Sequence, residues 1–150
     1  MGTQDFEVTG TTDATPEAVW RLLGDSATWP TWTSIDRHRP ERAAGPDGTG
    51  EIRVFHSGRY TLREEIVESV PPRRLTYTVL SGLAVRDYRA EIDLAERADG
   101  GTDVRWHTRF RTKVPGMGVF YRKALLRSTE TFVAGLTAAA RTHDAQGGTR

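Results

Sequence analysis

The chain has 150 residues, with 21 Lys+Arg against 20 Asp+Glu and a formal net charge of +1. That length suits one domain able to bury roughly 70 % of the surface its unfolded form exposes, and the near-neutral balance argues against a dedicated nucleic-acid or polyanion binder. The absence of cysteine removes disulfides, thiolate catalysis and every zinc site that needs a Cys ligand.

In chain order, Phe6, Val8, Gly10 and Thr12 alternate with polar Glu7, Thr9 and Thr11, the pattern of a half-buried first strand. Asp13-Ala14-Thr15-Pro16-Glu17 then starts a helix. Thr15 can cap it, Pro16 suits its first position, and Glu17 complements the positive end of the helix dipole. This helix is short and ends near Gly24. A second short helical or irregular piece carries Trp29-Pro30-Thr31-Trp32, where Pro30 disfavours helical geometry at Trp29. Six strands follow, over 34–41, 50–56, 60–68, 74–80, 85–95 and 102–113. They are separated by the turn formers Gly45-Pro46-Asp47-Gly48, Ser57-Gly58, Pro71-Pro72, Ser81-Gly82 and Asp99-Gly100-Gly101. Short turns between consecutive strands predict an antiparallel meander.

After Pro115-Gly116 the apolar period changes from two to 3.6. Tyr121, Leu125, Ser128, Phe132, Gly135 and Ala139 form one stripe, with Leu126, Thr129, Val133, Leu136 and Ala140 beside it. A helix of roughly 25 residues is predicted, its stripe diluted by Ser, Thr and Gly so that it can lie on a sheet without filling the space between. Tails are expected at residues 1–4 and 144–150, leaving an ordered core over about 5–143 of a single domain. The whole is an α+β architecture, a curved antiparallel sheet of about seven strands around a long C-terminal helix, with two short helices after strand 1.

The first twenty residues carry neither a basic nor an apolar leader region, and no window is long and apolar enough to span a membrane, so a cytoplasmic location is expected. Lys113 and Lys123 are the only lysines, an arginine bias expected of a GC-rich bacterial genome.

That order of elements resembles the helix-grip fold of the START/Bet v 1-like (SRPBCC) superfamily, and within it the polyketide cyclase/dehydrase-like proteins. The resemblance runs from Phe6 to about Ala140. It is carried by Ala14-Thr15-Pro16-Glu17-Ala18-Val19-Trp20, Trp29-Pro30-Thr31-Trp32, Pro71-Pro72-Arg73-Arg74-Leu75, Arg86-Asp87-Tyr88-Arg89-Ala90, Gly100-Gly101-Thr102-Asp103-Val104-Arg105-Trp106, and Phe110 followed by Pro115-Gly116. It implies a cavity between sheet and helix for lipids, sterols, polyketides or other hydrophobic molecules, in which a few members catalyse cyclisation, aromatisation or dehydration. The family is defined by that cavity rather than by a fixed catalytic set.

Strand alternation orients the side chains independently. In the last strand Val104, Trp106, Thr108 and Phe110 share the inner face, and Arg105, His107, Arg109, Arg111 and Lys113 the outer one. The preceding strand turns Tyr88, Ala90, Ile92 and Leu94 inward and Asp87, Arg89, Glu91 and Asp93 outward. With Leu94 opposite Val104, Asp93 meets Arg105, Glu91 meets His107 and Asp87 meets Arg111; a slip of two pairs Glu91 with Arg105 and Asp87 with Arg109. Either register makes the basic stripe a solvated, partly matched sheet face. Leu75, Tyr77 and Val79 point inward by the same alternation.

The hairpin 51–66 has two readings. A three-residue loop puts His56 on the inner face, but sets Arg53 against Arg63 and Glu51 against Glu65. A four-residue loop pairs Arg53 with Glu64 and puts Arg53 and Phe55 on the face of Leu62 and Ile66. The second is preferred, with an inner Arg53–Glu64 ion pair able to orient a ligand carbonyl or carboxylate. Within the implied cavity, the expected ligand contacts are Arg53, Phe55, Leu62, Glu64, Tyr77, Tyr88, Trp106 and Thr108 from the sheet, and Tyr121, Leu125 and Phe132 from the helix.

The leading functional reading is binding of a small hydrophobic, aromatic or polyketide-like molecule. An enzyme of cyclase, aromatase or dehydratase type is the alternative, with Glu64 or His56 moving a proton and Arg53 or Tyr77 polarising a carbonyl. A protein-interaction module, using the outer face or the terminal helix, is a third; a homodimer is compatible with all three. Phosphate-cradling glycine loops, a nucleophile elbow and a His-Glu-x-x-His motif are missing, and His38, His56, His107 and His143 fall on different elements. No cofactor or metal is therefore expected.

Overall fold

Thr15 stands in extended geometry with its hydroxyl accepting from Ala18 N, and Pro16 follows at the first position, so helix α1 (Pro16–Leu23) begins where its capping chemistry lies. Strand β1 (Gln4–Thr12) precedes it and buries Phe6 and Thr12. The computed structural model describes residues 2–147, with side chains as far as residue 142. Of the expected tails, Met1 and residues 148–150 lie outside the described residues. Gln4 instead pairs with Phe110, and residues 144–147 continue the last helix.

Asp25 caps a single 3-10 turn, Ser26–Thr28, which runs directly into helix α2 (Trp29–Trp32). Here the expectation from Pro30 is overturned, because Trp29 is helical, with φ −54° and ψ −38°. Burial supplies the reason: the Trp29 ring is enclosed and its Nε1 donates to Leu23 O at 3.0 Å, which outweighs the local preference of a residue before proline.

Six further strands form the meander: β2 (Arg37–Arg42), β3 (Ile52–Ser57), β4 (Tyr60–Val70), β5 (Arg74–Ser81), β6 (Val85–Glu96) and β7 (Thr102–Thr112). The sheet order is β1-β7-β6-β5-β4-β3-β2, and every neighbouring pair is antiparallel. β2 starts at Arg37 rather than at residue 34, because the Thr33 hydroxyl accepts from Ile35 N and turns the chain so that Ile35 is buried.

The preferred hairpin register is the observed one. Arg53 faces Glu64, and pairing continues to Ser57 and Tyr60, leaving only Gly58-Arg59 in the loop. Likewise Leu94 faces Val104, Asp93 faces Arg105 and Glu91 faces His107. A bulge between Arg86 and Arg89 bends β6, with Asp87 at φ +53°; Asp87 nonetheless lies 4.0 Å from Arg111. On the outer face Arg105 reaches Glu7 at 2.6 Å and Asp93 at 3.3 Å, while Glu91 takes Arg89 and His107 takes Asp5 instead of each other.

Helix α3 (Gly118–Gly147) is longer than its periodicity predicts and crosses β1, β7 and α1. Two glycines allow the crossing. A Cβ on Gly10 would stand 2.6 Å from Val133 Cγ1, and one on Gly135 would collide with the Trp32 carbonyl. Val133, Leu136 and Ala140 are consequently almost fully buried, and the Thr12 hydroxyl donates to Thr137 O at 3.0 Å. Among the described residues no helix is long and apolar enough to cross a membrane.

Candidate functional site

The first half of α3 stands away from the sheet, and between them lies a cavity of about 610 Å³, within the range of small-molecule sites. Its mouth is marked by Tyr60 and Phe120, both more than half exposed, and its floor by buried Trp29, Phe55 and Tyr77. Trp29 organises that floor, its ring centroid lying 5.4 Å from Phe55, 5.9 Å from Tyr77 and 5.8 Å from Trp106. Such offset and edge-on ring packing adds to the apolar burial itself.

Beneath the aromatic floor sits a buried ion pair. Arg53, fully buried, donates from Nε to Glu64 Oε1 at 3.0 Å and from Nη1 to Ser26 Oγ at 3.1 Å. Nη2 lies 3.0 Å from the same Glu64 oxygen without hydrogen-bond geometry. The guanidinium carbon is 3.9 Å from the centroid of Trp29, 4.7 Å from Phe55 and 4.8 Å from Tyr77, so three ring faces replace the water that the cation has lost. Burial pushes the Glu64 carboxyl above the usual carboxylate range, and the adjacent Arg53 charge opposes that rise. Burial also raises both phenols; Tyr77 is pushed well up, with Tyr88 and Glu64 adding to the effect.

Of the expected contacts, the structure brings Phe55, Leu62, Glu64, Tyr77, Tyr88, Tyr121, Leu125 and Phe132 together on the cavity wall. Three lie elsewhere. Arg53 is on the inner face, but its guanidinium is covered by the rings it stacks on. Trp106 is buried behind Trp29 and Phe132. Thr108, also fully buried, has its hydroxyl near the Tyr88 phenol without reaching hydrogen-bond geometry, so it supports a lining residue rather than being one.

His56, the expected alternative proton carrier, is on the opposite face from Phe55 and contacts the Thr61 hydroxyl at 3.2 Å, because the observed register turns odd-numbered residues of β3 inward. The His38 ring lies tilted against Phe55 with centroids 5.7 Å apart, His107 meets Asp5 on the outer face, and the His143 side chain lies outside the described residues. Among the described residues no cluster of three or more His, Asp or Glu could hold a metal.

Several wall residues escaped the sequence reading. Trp29 and Ile35 come from the segment between α1 and β2, Leu83 and Ala84 from the β5–β6 turn, and Phe120 precedes the apolar stripe of α3. A signal existed for Trp29 alone: two tryptophans in a short non-strand segment have little reason to be there unless they are buried.

Comparison with known proteins agrees with this geometry. The family model described as "Polyketide cyclase / dehydrase and lipid transport" matches residues 3–141. No curated protein matches in sequence. Among solved structures, XoxI from Bacillus cereus is 19 % identical, with 93 % of this chain and 95 % of that one covered at a TM-score of 0.72. A protein from Nitrosospira multiformis is 16 % identical over 98 % of this chain and 100 % of that one, and one from Thermobifida fusca is 26 % identical over 95 % and 93 %, both at TM-score 0.72. The two with lower identity are similar to this chain in fold alone.

Proposed function

Since the chain belongs to the polyketide cyclase / dehydrase and lipid transport family, a family with a fold suited to hydrophobic ligands, we propose that it binds a small aromatic or polyketide-like molecule in the cavity between its sheet and α3. One observation carries the reading: about 610 Å³ of space whose floor is Trp29, Phe55 and Tyr77 and whose mouth is two exposed aromatic rings. A core closed for stability alone would have filled that space with side chains. Apolar surface supplies most of the affinity, and the few polar groups on the floor orient the ligand.

Native mass spectrometry of freshly purified protein, with extraction and identification of anything bound, tests this. The expected result is a one-to-one apolar adduct, or uptake of Nile red by protein that emerges empty, with either weakened in Leu125→Trp, which projects a larger ring into the cavity. A folded protein that carries nothing and takes up no dye would sink the reading.

A second reading, turnover of the bound molecule, draws on Glu64 sharing the cavity wall with Tyr77 and Tyr88: a carboxyl raised by burial can pass a proton, and phenols that keep theirs can polarise a ligand carbonyl. Its expected result is loss of turnover of the extracted molecule in Glu64→Gln and in Tyr77→Phe with binding intact. Unchanged turnover in both variants would remove these groups from any chemistry.

A further inference from the structure

The ion pair under the cavity is neutral as a whole, but its two ends are placed unequally. Arg53 is covered by Trp29, Phe55 and Tyr77, whereas Glu64 lines the cavity. Both Arg53 nitrogens that reach the carboxylate converge on Oε1, and among the described residues no hydrogen bond of the chain occupies Oε2. Among the described residues the cavity wall contains no Arg, Lys or His. Its other polar groups are hydroxyls of Ser, Thr and Tyr, which donate or accept but carry no positive charge.

A ligand carboxylate placed here would lose its hydration, meet a like charge, and find its nearest cation sealed behind three rings. A hydroxyl or N–H would find an acceptor with an unused lone pair and a formal charge, the stronger class of hydrogen bond. From this asymmetry we infer that the cavity selects a neutral aromatic molecule carrying a hydroxyl or N–H donor, received by Glu64 Oε2, and rejects the carboxylate of the same shape. The inference rests on the ligand-binding reading above and adds the chemical class to it. It also reverses the role expected of Arg53, whose charge serves Glu64 and never reaches a ligand carbonyl.

Isothermal titration at neutral pH with three probes of one shape, 2-naphthol, naphthalene and 2-naphthoic acid, tests it. The expected order is 2-naphthol first, at least about tenfold tighter than 2-naphthoic acid, with naphthalene between, the gap appropriate to one hydrogen bond to a charged acceptor. The comparison is made in the wild type, so no variant has to fold. In Arg53→Met/Glu64→Leu, which replaces the pair by apolar groups, naphthalene should become the best ligand and 2-naphthol should lose its advantage over it, while 2-naphthoic acid stays weakest through the hydration it gives up. A wild type that takes 2-naphthoic acid or naphthalene as tightly as 2-naphthol overturns the inference and leaves the cavity reading standing. Failure of all three to bind also overturns the inference, while the cavity reading is decided separately by the co-purified adduct and the uptake of Nile red.

Discussion

In the first half of α3, Tyr121, Leu125 and Phe132 stand over open space; in the second, Val133, Leu136 and Ala140 are pressed against neighbours with 3 % exposure or less. Both halves carry apolar residues at the same helical spacing. The difference comes from what lies opposite. Gly10 in β1 and Gly135 in α3 itself bring backbones together on one side, whereas the aromatic floor around Trp29 holds the other side open. One continuous helix thus serves as core at one end and as cavity wall at the other, which allows stability and binding to be altered separately.

The largest expected effect falls on the open side, for an electrostatic reason. Glu64→Leu leaves a buried guanidinium that cannot be neutralised, and should cost about 3–5 kcal/mol in urea unfolding; Arg53→Met should cost clearly less, since a stranded carboxyl at a cavity wall can take up a proton. Equal losses would show that the two ends are equally sealed. Next comes the packed half, where Leu136→Ala should cost about 2–5 kcal/mol through the void it leaves, read from the denaturation midpoint. Gly135→Ala, which drives a methyl group into the Trp32 carbonyl, should cost about 1–3 kcal/mol. By contrast Leu125→Ala, facing existing space, should change stability by about 1 kcal/mol or less while altering ligand affinity. A loss at Leu125 matching that at Leu136 would contradict the division of the helix.

The smallest effect is a pH dependence. Glu64 has a folded pKa above its ordinary value of 4.5, so the folded state holds this proton more tightly than the unfolded chain. Its contribution therefore falls as pH rises from the ordinary value through the folded one, and is constant outside that window. Relative to Arg53→Met/Glu64→Leu, the wild type should lose stability as pH is raised through this range in parallel urea titrations. The opposite slope would mean that Arg53 outweighs burial and depresses the carboxyl.

Much of this was legible in the chain because it depends on local pattern. Alternation in β6 and β7 told inside from outside at Tyr88, Ile92, Val104 and Trp106, and the cost of Arg53 facing Arg63 selected the correct hairpin register. The helical stripe marked Tyr121, Leu125 and Phe132. Less legible was anything that depends on how far apart two elements stand. Alternation says that Arg53 and Trp106 point inward; it does not say that Trp29 lies between them and the cavity. Trp29 itself was obscured by Pro30, whose local preference gave way to a buried ring and one hydrogen bond.

The sequence by itself determined the order of elements, the strand register and the inward faces, because each follows from contacts between residues near in sequence or from the period-two and 3.6-residue rules. Only the tertiary structure decided which inward residues meet empty space and which meet each other. It decided too that Glu64 rather than Arg53 lines the cavity, because sealing a cation behind rings takes two strands and a short helix converging from distant parts of the chain.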